Sequence, residues 1–260
     1  MPTAPDQQDP PSARPEPHLG PHPGPPPPAA PGEAPPVVPV RPARPALVMA
    51  LLVLLLAFLT WQAAVDTPLR RADERLGGTV ADSRLPAGAA EFLADLGNVL
   101  VAVPVLLAVA AYVAWRARRA ALPSWWLPSL AALVTMALVP LLVVPLKEAV
   151  GRTGPPGTAG DGYYPSGHTA TAAVAYGAAV LLLLPWLQNR YLRRELTLAC
   201  LLLVASVSFG LVRRGYHWPL DVAGSWCLSA VLLLGLAMFL LSRSTRRSSS
   251  RTPSLRSGPS

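Results

Sequence analysis

The sequence predicts an all-α fold, an integral membrane bundle of six transmembrane helices preceded by a disordered proline-rich tail. Three observations carry that prediction. Of the 260 residues, 52% are hydrophobic and only 14% charged, whereas about 25% are charged in an ordinary soluble domain. Beyond residue 45, apolar runs recur that are long enough to cross a bilayer as helices, at about 20 residues each. Proline is unevenly spread, with 18 of its 32 occurrences between Met1 and Pro45. The chain therefore reads as a proline-rich tail (1–45), a membrane domain (46–241) and a basic Ser/Arg-rich tail (242–260).

The first tail holds Pro25 to Pro28, with scattered Gly and Ala and almost no large apolar side chain before Val37. It cannot bury enough surface to offset the entropy of ordering. It is expected to populate polyproline II on the cytoplasmic side as a spacer, its partner unknown. The first apolar run begins too far into the chain for a secretory signal peptide and is read as the first membrane helix.

The predicted spans are Ala46 to Val65, Gly97 to Trp115, Trp125 to Leu146, Thr169 to Leu187, Leu196 to Val212 and Val222 to Leu241. The fifth is short at its polar end and is expected to run into the motif that follows it. Pro104, Pro140 and Pro145 fall inside these runs, which membrane helices tolerate. Tryptophans at 61, 115, 125, 126, 186 and 218 lie near span ends, the pattern of an aromatic belt.

Positive charge gives the orientation. Alternate flanks carry Arg41 and Arg44; Arg116, Arg118 and Arg119; Arg190, Arg193 and Arg194; and Arg243, Arg246, Arg247 and Arg251. Short loops rich in Lys and Arg stay in the cytoplasm. The first loop on the other side, Asp66 to Leu96, sets four arginines against six acids. Both termini are therefore expected inside a multi-pass cell-membrane protein. Topology and a basic tail touching anionic lipid account for the net charge of +8, and a nucleic-acid partner is not implied. Cys200 and Cys227 lie within spans and outside any CxxC spacing, so neither a disulfide framework nor a zinc site is indicated.

Chemistry-bearing residues gather on the non-cytoplasmic side. Of four histidines, His18 and His22 lie in the first tail; His168 and His217 lie at span ends on that face. Lys147, the only lysine, ends the third span there, followed by Arg152. Ser166 and Gly167 precede a helix, where backbone N–H groups and the helix dipole favour an anion. Lys147, Arg152 and Arg213 or Arg214 can add charge-assisted hydrogen bonds to phosphate oxygens. His217 and Asp221 are four residues apart, which places them on one helical face if the turn is helical. The carboxylate can then fix the imidazole tautomer and leave the other nitrogen free to attack. His168 is the candidate proton donor to a leaving oxygen.

Pro165-Ser166-Gly167-His168, followed one helix later by His217-Trp218-Pro219-Leu220-Asp221, resembles the second and third signatures of the type-2 phosphatidic acid phosphatase superfamily. The resemblance covers about Asp95 to Leu241. It implies a metal-independent, cofactor-free membrane phosphatase that hydrolyses a lipid phosphate or diphosphate, phosphatidic acid-like or undecaprenyl diphosphate-like, at the outer face through a phosphohistidine. Carried over, His217 is the nucleophile, Asp221 its orienting acid and His168 the general acid. Ser166, Gly167 and Lys147 hold the phosphate.

Two places depart from the family pattern. Its first signature is a Lys, six intervening residues, then Arg-Pro; here Gly154 stands at the Arg position, before Pro155, and Arg152 lies two residues earlier. The Ser-Arg pair of the third signature falls on Gly210 and Leu211, with Arg213 and Arg214 close by. Losing an electrostatic donor of this kind can cost on the order of 100-fold in rate. Rival readings are thus a catalytically weak or inactive lipid-phosphate-binding protein, a lipid phosphotransferase that shares the first half-reaction, and a transporter or flippase.

Overall fold

The computed structural model describes residues 43–249, with side chains from 44 to 243. The expected disordered arm and most of the basic tail lie outside those residues. Eight α-helices are described: α1 (Ala43–Ala64), α2 (Pro68–Ala81), α3 (Ala87–Asp95), α4 (Val99–Arg119), α5 (Leu127–Val150), α6 (Gly167–Leu183), α7 (Arg190–Arg213) and α8 (Pro219–Ser249). A 3₁₀ turn, Leu184–Trp186, follows α6. No strand occurs among the described residues. Six of the helices, α1 and α4 to α8, are long and apolar enough to cross a membrane.

Helix α6 is the axis of the bundle. It packs on α4, α5, α7 and α8, and 56% of its apolar window is buried against 11% for α1. Its sequence explains that position: Ala170, Ala172, Ala173, Ala175, Ala178 and Ala179 are all buried, and small side chains let helix backbones approach closely where lipid gives no hydrophobic drive between helices. The peripheral helices turn large apolar residues outward, among them Leu54 on α1, Leu100 on α4, Leu141 on α5 and Leu202 on α7. In a bilayer these meet acyl chains.

Several helices run past the expected span boundaries, α8 from Pro219 to Ser249 where Val222 to Leu241 was expected. The fifth span extends at its other end too, starting at Arg190 where Asn189 caps it by accepting from the Tyr191 N–H (2.8 Å). Arg193 and Arg194 thus lie on helix, as long basic side chains can when their heads snorkel to the polar interface. The loop Asp66 to Leu96 contains α2 and α3, each too short to register as a span. The start of α2 follows from Thr67, whose hydroxyl accepts from the Arg70 N–H, and from Pro68 in the first turn. Both short helices pack on α7, and α2 also reaches α8. Together they roof the end of the bundle that carries His168 and His217.

Candidate active site

The two ordered histidines reach one cavity from different connections. His168 is the second residue of α6, presented by a turn that Ser166 caps through its hydroxyl, which accepts from the Thr169 N–H (3.3 Å). The preceding Tyr164 is fully buried, its hydroxyl 3.0 Å from Thr60 on α1. Burial pushes the Tyr164 phenol up to about 12, so it stays a neutral hydrogen-bonding anchor. His217 sits between α7 and α8. Gly215, at φ +67°, reverses the chain there, and the Tyr216 N–H returns to the Leu211 carbonyl (2.9 Å) in a C-terminal helix cap.

Asp221 is the third residue of α8 and completely buried. Its Oδ2 lies 3.3 Å from His217 Nδ1 and accepts from the Trp218 N–H (3.0 Å). The second contact is the returning half of a capping box, so the helix start that Pro219 initiates also aims the carboxylate at the imidazole. Oδ1 accepts from Arg152 Nη1 at 2.7 Å. With Nδ1 held, Nε2 is the ring nitrogen left for chemistry.

Sequence reasoning missed Asp73 of α2. It accepts from Arg152 Nη2 (2.6 Å) through Oδ2 and from the Leu220 N–H (2.7 Å) through Oδ1. Arg152 is therefore clamped between two buried carboxylates, one of which caps α8 while the other orients His217. Burial pushes the Asp73 carboxyl above its ordinary value, opposed by the Arg152 guanidinium and the Leu220 N–H. The guanidinium also lies 5.9 Å from the Trp218 ring centroid. No local signal marked Asp73, because its partner stands 79 residues away.

The cavity, about 320 Å³, is lined by Glu91, Ala94, Asp95, Thr158, Tyr163, His168, Leu211, Tyr216 and His217. Tyr163 meets the His217 ring edge-on at 5.9 Å. The other residues expected to hold phosphate stand outside this lining and have partners in the protein. Lys147 Nζ donates to the Gly162 carbonyl (2.7 Å), bracing the 151–166 connection. Arg213 donates to the Leu85 carbonyl (3.1 Å) and to that of Ala81. Arg214 pairs with Glu91, which also accepts from the Tyr216 hydroxyl (2.8 Å). The Ser166 N–H donates to the Asp221 carbonyl (3.1 Å), which locks the two signatures together. Gly167 remains half-buried beside the cavity at the first turn of α6.

Two of the departures from the family pattern, Gly154 and Gly210, have steric causes. A Cβ on Gly154 would come within 2.6 Å of the Tyr163 ring and against the Thr158 hydroxyl. On Gly210 it would lie 2.7 Å from the Ala90 carbonyl and 2.8 Å from the Ala94 nitrogen of α3. All three distances are well inside van der Waals contact, about 3.5 Å or more. Close packing of α3 on α7 thus excludes a serine at 210, and it brings Glu91 and Asp95 to the cavity beside Leu211.

Residues 128–245 match the family model described as the PAP2 superfamily. That stretch holds α5 to α7, most of α8 and every candidate catalytic residue. Among solved structures, the crystal structure of a transmembrane PAP2-type phosphatidylglycerolphosphate phosphatase from Bacillus subtilis matches with a TM-score of 0.65 at 23% identity. The match covers 75% of this chain and 96% of that one, a likeness of fold. No curated protein matches the chain.

Proposed function

From the match of residues 128–245 to the PAP2 superfamily model, we propose that the chain is a member of that family and a metal-independent membrane phosphatase acting on a lipid phosphate or diphosphate at the outer membrane face. The observation that carries this reading is the contact of His217 Nδ1 with buried Asp221 (3.3 Å), on a cavity that His168 shares. Nε2 of His217 attacks phosphorus and the P–O bond to the lipid breaks. His168 supplies the proton that the leaving oxygen takes up. Water then attacks the phosphohistidine, losing a proton to His168, and inorganic phosphate departs. Arg152 and Asp73 act through Asp221 as positioning residues. Lys147 and the N–H groups at the start of α6 supply positive potential for the phosphate.

The outer-face assignment rests on charge. Arg116, Arg118, Arg119, Arg190, Arg193, Arg194 and Arg243 all flank the end of the bundle away from the histidines, the end the positive-inside rule puts in the cytoplasm. Both termini then lie inside, with 1–45 and 242–260 as flanking tails of a membrane domain.

One observation favours a rival, a lipid-phosphate-binding protein that turns over slowly or not at all: Gly154 leaves no space for the arginine of the first signature, and Leu211 stands where that of the third is expected. Phosphate release separates the two readings. The full chain in proteoliposomes is offered phosphatidic acid, phosphatidylglycerol phosphate and undecaprenyl diphosphate in excess EDTA. Release that vanadate inhibits and His217→Ala abolishes supports the enzyme. A strict divalent-metal requirement, or no release beyond that of His217→Ala, contradicts it. Transfer of the phosphoryl group to an added alcohol, in place of water, marks a phosphotransferase.

A further inference from the structure

A second cavity, larger than the one at the histidines, lies at the opposite end of the bundle. It encloses about 530 Å³, within the roughly 300–1,000 Å³ of small-molecule sites. Five helices and the 3₁₀ turn wall it. Val113, Leu122, Leu181 and Leu240 give it an apolar floor, and Arg193 and Arg243 stand on its wall with Trp125 and Trp186. Arg116 stacks on Trp186 (5.0 Å) and Arg118 on Trp125 (5.5 Å), which adds two guanidinium groups against the tryptophans of the wall. No carboxylate lines it. Among the described residues, arginines 44, 116, 118, 119, 190, 193, 194 and 243 lie at this end of the bundle, against a single acid, Glu195.

We propose that this cavity is a binding site for one anionic phospholipid of the adjacent leaflet, with an acyl chain on the apolar floor and the phosphate between Arg193 and Arg243. Charge complementarity selects the occupant. An unpaired anionic headgroup at this level meets two guanidinium groups suited to bidentate phosphate contacts, whereas a zwitterionic headgroup brings its own cation into the same field. The neighbouring C-terminal segment carries Arg246, Arg247, Arg251 and Arg256, which share the charge of the site and do not complement it. Aromatic and arginine side chains at span ends are the groups expected at headgroup depth. The proposal is independent of what the histidine end does.

The test uses the full chain in neutral detergent, titrated with phosphatidylglycerol or phosphatidylcholine while thermal unfolding is followed; native mass spectrometry counts bound lipid. A ligand that binds only the folded state raises the midpoint in a saturable way. Phosphatidylglycerol is expected to do so with one lipid retained, and phosphatidylcholine is not. Arg193→Ala with Arg243→Ala should weaken apparent affinity about 10- to 30-fold, given about 1 kcal/mol per arginine at an anionic surface. Arg190→Ala with Arg194→Ala removes equal charge from residues outside the cavity lining and should leave the titration nearly unchanged. If the two double variants weaken binding equally, the effect is diffuse surface attraction and the site is refuted. Equal stabilisation by phosphatidylcholine refutes the headgroup assignment. If the 193/243 variant fails to fold, Ala237→Trp, which fills the floor, replaces it, and undiminished one-lipid binding there overturns the proposal.

Discussion

The two histidines share a cavity but have opposite surroundings. His217 is 7% exposed, and a chain of contacts runs back from it through Asp221 and Arg152 to Asp73, joining α8, the 151–166 connection and α2. His168 is exposed at the first turn of α6, and its ring has no hydrogen-bond partner among the described residues. The difference fits the division of labour proposed for them. A nucleophile needs one tautomer and one direction of attack, which an over-determined network enforces. A group that passes a proton to a leaving oxygen and then takes one from water needs access. Arg152, read from sequence as a phosphate ligand, has its charge engaged by Asp221 and Asp73.

The most disruptive way to break this contrast is Arg152→Met, which leaves Asp73 and Asp221 buried without their cation. Removing one partner of a buried pair costs about 3–5 kcal/mol, so the variant should show a large drop in thermal midpoint together with lost turnover. Asp73→Ala comes next, stranding the Leu220 N–H and half of the guanidinium; an unsatisfied buried group costs about 1–3 kcal/mol. Its value lies in a second readout. If Asp73 positions His217 through Asp221, kcat falls more than KM changes, and Asp73→Asn, which keeps an acceptor for Leu220, restores much of kcat.

His168→Ala should behave in the reverse manner. Stability stays near wild type because the ring is exposed and unpaired, whereas kcat falls by about 10²–10⁴, the usual contribution of general acid–base catalysis. A substrate with a better leaving group, such as an aryl phosphate, should recover much of that loss. A large stability change with little kinetic effect would instead assign His168 a structural role.

Six helices were legible because each crossing needs a long apolar run, a signal that depends on composition alone. The spacing of His217 and Asp221 likewise encodes a local contact, and the structure brings their atoms together. Helices α2 and α3 were not legible as elements, being short and carrying polar or small residues, although Thr67 and Pro68 mark the start of one. Asp73 could not be found because its value depends on packing that only the folded chain creates. The departures were visible at Gly154 and at the pair Gly210 and Leu211; the steric reasons at the two glycines were not, since they involve Tyr163 and the backbone of α3.

The smallest effects belong to the rim. Hydrogen bonds from Tyr216 and Arg214 hold the Glu91 carboxyl below its ordinary value. The sign follows: this tether is intact above the usual glutamate range and is lost as pH falls through the depressed value. Glu91→Gln should thus leave the thermal midpoint nearly unchanged at neutral pH, and alter KM modestly by loosening Arg214 beside the cavity. It should also flatten the low-pH limb of the KM profile, which kinetics below the glutamate range would read.

In the proposed reaction His217 Nε2 forms the bond to phosphorus. That step is tested most directly by quenching wild-type enzyme into alkali, where a phosphohistidine survives, within the first turnover on a ³²P-labelled lipid phosphate. The account predicts covalent label on the wild-type chain, mapping to His217 and missing from His217→Ala. Label of equal amount on the His217→Ala chain would contradict it.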